Sequence, residues 1–337
     1  MVKVGILGAG FMGTTHARAF SKMPHVQIAV IVDTIKEKAE RLAGEIGCRF
    51  EMDQEIIFND AAISLVDVTL PTPFHTQYAM RSMQSGKHVI VEKPLALSIA
   101  DADAIIDVSH KTGKFLMVAQ VLRFWPEYAA IRDILQSGRL GKPISAVTYR
   151  LSNAPQWATW FLDPKASGGT VLDLAIHDID MLNWLFGPPE NVFASGADER
   201  NDDWGHVMIL GNHAGVKTSI EASFNMPKDF PFAAGIRVLC DKGMLEYKFQ
   251  ASGASLEQGE PLNIFRLYEP GNPNQLLKVA NGDAYENEIA YFVKCVENEQ
   301  APQVVTGEDA RTAIKVALCA RQSMLSGKPV RVFGKAL

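Results

Sequence analysis

Two short stretches of the chain gather residue types that handle protons. In Glu92-Lys93-Pro94 a carboxylate and a lysine follow directly on the apolar run His88-Val89-Ile90-Val91. An ammonium at a strand end can stabilise the negative charge that builds on a hydroxyl oxygen as its proton leaves, or share that proton. In Gly168-Gly169-Thr170-Val171-Leu172-Asp173-Leu174-Ala175-Ile176-His177 a glycine pair precedes a helical pattern, with Asp173 and His177 four residues apart. That spacing puts both side chains on one helix face. A histidine exchanges a proton near neutral pH, and a carboxylate orients it or holds a substrate hydroxyl. Both stretches also admit blander uses: a solvated strand end closed by a turn-making proline, and a helix start whose acids favour the dipole, with His177 a satisfied core residue. Asp173, His177 and Asp180 have the chemistry of metal ligands, but no further ligand cluster accompanies them, so no metal is expected.

A third stretch carries no titrating group. Gly8-Ala9-Gly10-Phe11-Met12-Gly13 is a G-x-G-x-x-G that follows a predicted strand and opens a predicted helix. Gly8 permits the tight turn, Gly10 lets backbone approach a pyrophosphate, and Gly13 lets the helix lie close to the sheet. Phosphates then meet the free N–H groups of the first helical turn, where Phe11 and Met12 stand. Glycine turns of this kind also arise for packing alone. Here the next apolar run, Ile28 to Val32, ends in Asp33, 20 residues past Gly13. A carboxylate at that point accepts hydrogen bonds from the ribose hydroxyls and repels a 2′-phosphate, which favours NAD over NADP. Lys36, Lys38 and Arg41 close by read as a solvated helix face.

The elements that position these residues fall into two patterns. Up to about residue 120, short apolar runs alternate with helical periodicity. Strands are expected at 3–7, 27–32, 65–69, 88–91 and 115–119, and helices at 12–23, 36–46, 75–85 and 99–112. This is the signature of a doubly wound parallel sheet. Beyond about residue 140, longer segments alternate apolar and polar residues: 144–151, 206–210, 216–224, 236–239, 244–249 and 263–268. They imply a large, open, mostly antiparallel sheet, with Gly211 to Gly215 as a hairpin connection. Helices are expected over 171–186, 284–298 and 307–326. The fold class is therefore α/β: a Rossmann NAD-binding domain over residues 1–122, then an α/β domain over 123–337 for substrate binding and oligomerisation. The last helix is expected to pack back on the first domain.

The 337 residues suffice for two domains. A hydrophobic fraction of 47% and a charged fraction of 21% are those of a chain that buries a core. A formal net charge of −5 offers no basic field for nucleic acid or an anionic membrane, which leaves a small molecule as the expected partner. Cys48, Cys240, Cys295 and Cys319 form no Cys-x-x-Cys pair, and they read as buried thiols in a reducing compartment. With no leader pattern and no membrane-length apolar run, the expected location is the cytoplasm.

Taken together, Gly8/Gly10/Gly13, Glu92-Lys93-Pro94 and Asp173 with His177 resemble the Gfo/Idh/MocA oxidoreductases, a family that includes glucose-fructose oxidoreductase and inositol dehydrogenase. The resemblance spans essentially the whole chain. It implies NAD(H)-dependent interconversion of a secondary alcohol and a ketone on a sugar, an inositol-like polyol or a sugar derivative. It further implies that Lys93 works beside the nicotinamide and that Asp173 and His177 face the reacting hydroxyl, His177 as proton acceptor. Lys93-Pro94 would be a cis bond. Leu70-Pro71-Thr72-Pro73-Phe74-His75 matches the family's loop after the third strand, so Pro71, Thr72 and His75 should border the cofactor, as should Glu92 and Gln120. The family often has asparagine where this chain has Thr72 or Pro73. Arg123 and Trp125 should approach the site, and Trp157 and Trp160 could cap a sugar ring by stacking. Tyr285 matches a tyrosine placed near substrate, and a homodimer or homotetramer is implied.

Two other activities fit the same fold. One is a noncatalytic NAD-binding regulator, against which the presence of Lys93, Asp173 and His177 weighs. The other is a glycoside hydrolase that uses NAD in a hidden redox cycle.

Overall fold

The computed structural model describes residues 1–154, 159–200, 203–252, 261–280 and 282–333. The chain divides into two compact units: Met1–Trp125 with Gly282–Arg311, and Pro126–Asn281 with Thr312–Leu337.

The first unit runs β1 (Val2–Leu7), α1 (Phe11–Ser21), β2 (Val26–Val32), α2 (Lys36–Ile46), β3 (Arg49–Glu51), α3 (Glu55–Asn59), β4 (Leu65–Val68), α4 (His75–Gln84), β5 (His88–Glu92), α5 (Ile99–Thr112) and β6 (Leu116–Ala119). Its strands form one parallel sheet in the order β3-β2-β1-β4-β5-β6. The order reverses between β1 and β4, and such a switch point opens a crevice at the carboxyl ends of the strands. β4 and β5 are covered on both faces, so they read as continuous apolar runs rather than alternating ones. Asp67 is the exception, a carboxylate wholly buried in the middle of β4. The alternation of apolar runs and helices places five of the six strands. β3 spans three residues, too few for a period to show.

The second unit contains α6 (Pro126–Gln136), β7 (Pro143–Leu151), α7 (Pro164–Ser167), α8 (Ile176–Phe186), β8 (Asn191–Arg200), β9 (Asp203–His213), β10 (Val216–Ser223), β11 (Ala233–Cys240), β12 (Gly243–Gln250), β13 (Leu262–Glu269) and β14 (Asn272–Leu276). The chain then returns to the first unit as α9 (Ala284–Glu297), which lies against α1. In α10 (Gly307–Ser326) the unit boundary falls after Arg311, and β15 (Val330–Arg331) closes the described chain. The sequence reading assigns 282–311 to the second domain and the return to the last helix. In the structure α9 lies in the first unit, and so does the first turn of α10, where Arg311 pairs with Asp103 of α5.

The second sheet has the order β14-β13-β12-β11-β7-β10-β9-β8-β15 and is antiparallel except where β7 meets β10. The hairpin after β9 is tighter than the glycines suggest. β9 continues to His213, and only Ala214 and Gly215 turn, with φ of 50° and 98°. Gly211 stays in the strand, where a Cβ would stand 2.7 Å from Thr218 Oγ1. No helix among the described residues is long and apolar enough to cross a membrane.

His88, at the start of β5, makes the first unit sensitive to acid. The Phe115 N–H donates to His88 Nδ1 at 3.0 Å, and the two rings lie 4.6 Å apart. Burial, helped by the Lys114 charge, pushes the His88 pKa down to about 4. In the unfolded chain the ring titrates near its ordinary value of about 6.5, so between about pH 6.5 and 4 the unfolded state binds the extra proton. Stability therefore falls as pH drops through that window. We expect His88→Asn to reduce the slope of the urea midpoint against pH there, and an unchanged slope would refute the assignment.

Candidate active site

The glycine turn is built by contact. Gly8 holds φ at +105°, where a Cβ would stand 2.7 Å from Thr69 O. A Cβ on Gly13 would stand 2.8 Å from Thr69 Oγ1 and closer still to the Gly8 carbonyl oxygen. Only hydrogens fit at these two positions, so α1 meets the sheet backbone to backbone. Gly10 differs, since a Cβ there would meet nothing within 4 Å. Its bareness is not required by the protein itself, which fits a position reserved for a ligand. Gly10 also caps α1 without a side-chain hydrogen bond, and the first turn of the helix holds no acid. An anion is favoured at such an end. Phe11 is 45% exposed there and Met12 is half-buried. Asp33 is held beside the turn: Ala9 N–H donates to its Oδ2 and Ile35 N–H to its Oδ1, both at 2.8 Å. Each oxygen keeps a lone pair for a ribose hydroxyl. Pyrophosphate on the turn and diol on Asp33 make this unit fit a dinucleotide.

Further along the carboxyl edge, β5 ends in Glu92, and the Lys93 N–H donates to Glu92 Oε2 at 3.0 Å. The Lys93–Pro94 bond is cis. Pro71 leads a short 3-10 turn in which Thr72 is buried. His75 opens α4, yet it is 1% exposed, with Nδ1 2.8 Å from Pro94 O and Nε2 2.8 Å from Leu70 O. It therefore ties the Leu70 loop to the Lys93-Pro94 turn instead of facing outward, and burial lowers its pKa. Gln120 is buried after β6, and its Nε2 has no hydrogen-bond partner among the described residues. Arg123 turns inward at 4% exposure. Its Nη1 donates to Val304 O at 2.7 Å and lies 3.3 Å from Asp309 Oδ2, so its guanidinium braces segment 304–309.

In the second unit Gly168 and Gly169 both take positive φ, 83° and 70°. They start a π-helical turn, Thr170–Ala175, which runs into α8. The sequence reading expects one α-helix over 171–186. The wider π turn is the difference, and such turns recur at functional sites. Asp173 lies on it, buried at 6% exposure, and His177 follows in the first turn of α8, half-buried. α8 is anchored next to His177: Arg150 Nε donates to Asp178 Oδ2 at 2.7 Å and Nη2 to Oδ1 at 3.3 Å, with both side chains buried. Asp180 is buried. No group of three His, Cys, Asp or Glu among the described residues is arranged to hold a metal ion. Trp160 and Phe161 stack at 4.2 Å, while Trp157 lies outside the described residues.

The sequence reading missed three buried groups of the first unit. His16 on α1 sits with Nδ1 3.0 Å from Asp67 Oδ1 and Nε2 3.3 Å from Glu92 Oε1. Glu288 on α9 is wholly buried, and Tyr285, one turn earlier, places its ring 6.4 Å from the His16 ring. A charge inside an otherwise apolar strand, Asp67, and an acid in the apolar stripe of α9, Glu288, were signals available in the sequence.

Residues 2–120 match the family model described as the oxidoreductase family with an NAD-binding Rossmann fold, Gfo/Idh/MocA, and residues 128–246 match the model of that family's C-terminal domain. The chain is 26% identical to scyllo-inositol 2-dehydrogenase (NAD(+)) of Bacillus subtilis, covering 98% of this chain and 96% of that protein. It is 29% identical to inositol 2-dehydrogenase of Rhizobium meliloti, covering 98% and 99%. A crystal structure of a myo-inositol dehydrogenase from Corynebacterium glutamicum superposes with a TM-score of 0.83 at 23% identity, covering 99% of this chain and 100% of that one, a likeness that carries the fold.

The different surroundings of Gly10 and Gly13 separate packing from ligand binding. Gly13→Ala should destabilise the protein by about 1–3 kcal/mol through overpacking. Gly10→Ala should leave urea stability within about 0.5 kcal/mol, yet abolish the rise in Tm that NAD gives the parent. A Gly10→Ala protein that NAD still stabilises fully would remove Gly10 from the phosphate site.

Proposed function

The chain belongs to the Gfo/Idh/MocA oxidoreductase family, and from that premise we propose that it interconverts a secondary alcohol and a ketone on a sugar, a polyol or a sugar derivative with NAD(H). The observation that carries the reading is the presence, in one unit, of a glycine turn with Asp33 pinned beside it and of Lys93 at the carboxyl end of the same parallel sheet. Two relatives with near-complete coverage are named inositol dehydrogenases, which supports an inositol-like polyol as the first substrate class to try.

Gly8, Gly10, Phe11, Met12 and Gly13 would hold the pyrophosphate and Asp33 the ribose diol, with Pro71, Thr72, Glu92, Lys93 and Gln120 bordering the rest. His75 would serve through the loops it ties. When bound, the dinucleotide supplies a hydride acceptor. In the oxidising direction His177 takes the hydroxyl proton, Asp173 orients the imidazole or the hydroxyl, and the Lys93 ammonium stabilises the charge developing on oxygen. Trp157 and Tyr285 would contact the substrate. Residues 1–122 would give most of the cofactor part, to which 282–311 return, and the rest of 123–337 the substrate part, and the location proposed is the cytoplasm, suited to four cysteines that are all free.

Lys93→Ala should lower kcat by about 10²- to 10⁴-fold and leave NAD binding by calorimetry intact; undiminished turnover would sink the role. The assay is NADH absorbance across cyclic polyols, aldoses and sugar acids, run in parallel with NADP. Net NADH separates a dehydrogenase from a regulator and from a hidden redox cycle. Greater efficiency with NADP would overturn the reading of Asp33.

The second sheet supports self-association. Val147, Leu210 and Phe193 lie in one cross-strand row through Ser219, each 37% exposed or more, and Met208 is 52% exposed on the same face. An apolar row open to water marks an interface, and the partner proposed is a second copy in a homodimer or homotetramer. Leu210→Glu should shift the mass seen by light scattering towards the monomer, and an unchanged assembly would exclude this face.

A further inference from the structure

Behind the strand ends the first unit buries four ionisable side chains from four segments: His16 of α1, Asp67 of β4, Glu92 of β5 and Glu288 of α9. Their exposures are 0%, 0%, 6% and 0%. His16 Nδ1 faces both Asp67 oxygens, at 3.0 and 3.1 Å. Its Nε2 makes an ion-pair contact with Glu92 Oε1 at 3.3 Å that is not an aligned hydrogen bond. A neutral imidazole has one N–H and one lone pair, so either neutral tautomer would turn its lone pair on a carboxylate. Burial opposes charge on the ring, but Asp67 and Glu92 outweigh it, and the His16 pKa stands well above the ordinary value.

Glu288 meets the opposite situation. Neither of its oxygens has a hydrogen-bond partner among the described residues. Burial raises its pKa well above the ordinary range, Glu92 and Asp67 push the same way, and only His16 opposes. An ionised, unpartnered carboxylate buried beside two others is the most costly state available, and a group so placed neutralises instead. The other titratable groups around the cluster are Tyr285, whose ring lies 6.4 Å from His16, and Lys93 and His75 at the Glu92 end. The pairs Lys22–Glu286 and His25–Glu297 lie further out, at the exposed rim of α1 and α9.

We propose that His16, Asp67, Glu92 and Glu288 act as one positioning group for Lys93, with His16 an imidazolium, Asp67 and Glu92 carboxylates, and Glu288 a neutral acid. One negative charge is left over, and the Glu92 carboxylate that carries part of it accepts the Lys93 N–H at 3.0 Å. His16 Nε2 stands 3.3 Å from Glu92 Oε1, which fixes one oxygen of that carboxylate, while the other holds the peptide that bears Lys93 from beneath. The proposal rests on the role given to Lys93 above.

The test uses the whole protein and reads protonation before turnover. In protein labelled with ¹⁵N-histidine, with the His16 signals assigned by their loss in His16→Gln, both ring nitrogens should keep the imidazolium signature across about pH 6 to 9, a span that straddles an ordinary histidine. In the infrared, the C=O stretch of a protonated carboxyl should be present at neutral pH and absent from Glu288→Gln. Glu288→Gln, which keeps the neutral shape, should retain the His16 imidazolium. Asp67→Asn should lose it and should lower kcat by about 100-fold, with the KM for NAD little changed. A neutral His16 in the parent, or a carboxyl band that survives Glu288→Gln, overturns the charge assignment. A full kcat in an Asp67→Asn protein that has lost the imidazolium overturns the positioning role. The two spectra need no turnover, so they decide the charges even if Lys93→Ala stays active or Asp67→Asn does not fold.

Discussion

The close approach of α1 to β1 is the contact on which the first unit depends. Gly8 and Gly13 have room for hydrogens only, and Thr69, whose hydroxyl donates to Leu7 O at 3.0 Å and lies 3.1 Å from Gly8 O, closes the same gap. This distance has two consequences on one helix. It aims the bare N-terminus of α1 across the switch point of the sheet, where an anion is favoured. It also lowers the next turn of the same face onto the strands, and His16, three residues past Gly13, reaches Asp67 in β4 and Glu92 in β5. The exposed helix N-terminus at the glycine turn and the buried ions are two results of one packing distance.

The second unit fixes the helix that carries His177 by a different means. The buried Arg150–Asp178 pair anchors α8 to β7, one residue after His177. From the other side His177 is set by the π turn that Gly168 and Gly169 allow to start. A π turn holds more residues than an α turn, so Asp173 and His177 are not stacked as four-residue spacing in a regular helix would stack them. The spacing was readable, and the geometry it produces was not.

That contrast runs through the whole molecule. Gly8, Gly10, Gly13 and Asp33 were legible because their constraint is local, a strand, a turn and a helix in sequence order. The parallel sheet was legible because burial on both faces leaves strands such as β4 and β5 as apolar runs broken only by single polar residues such as Asp67. His75 and Arg123 could be placed in the right loops, but a sequence does not say which way a side chain turns, and both turn inward to brace backbone carbonyls. His16, Asp67 and Glu288 come from three distant segments, and only the tertiary fold makes them neighbours. Their single-residue signals, one charge in an apolar strand and one acid in an apolar helix stripe, indicate that a partner must exist without naming it.

Stability does not account for such a cluster. Replacing a buried ionic group by apolar residues of like volume is often neutral, or stabilising by about 1–4 kcal/mol, because desolvation cancels most of the attraction. The surrounding strands already supply fully buried Val66, Val68, Ile90 and Val91, so an apolar side chain at Asp67 would extend an existing core. Apolar packing could fill that space, but it could not hold a charge at a fixed point. The cluster brings fixed charge to the end of β5, through a carboxylate bonded to the peptide that carries the lysine. In a sheet whose buried positions are mostly valine, leucine and isoleucine, that is a property for which buried ions have no apolar substitute.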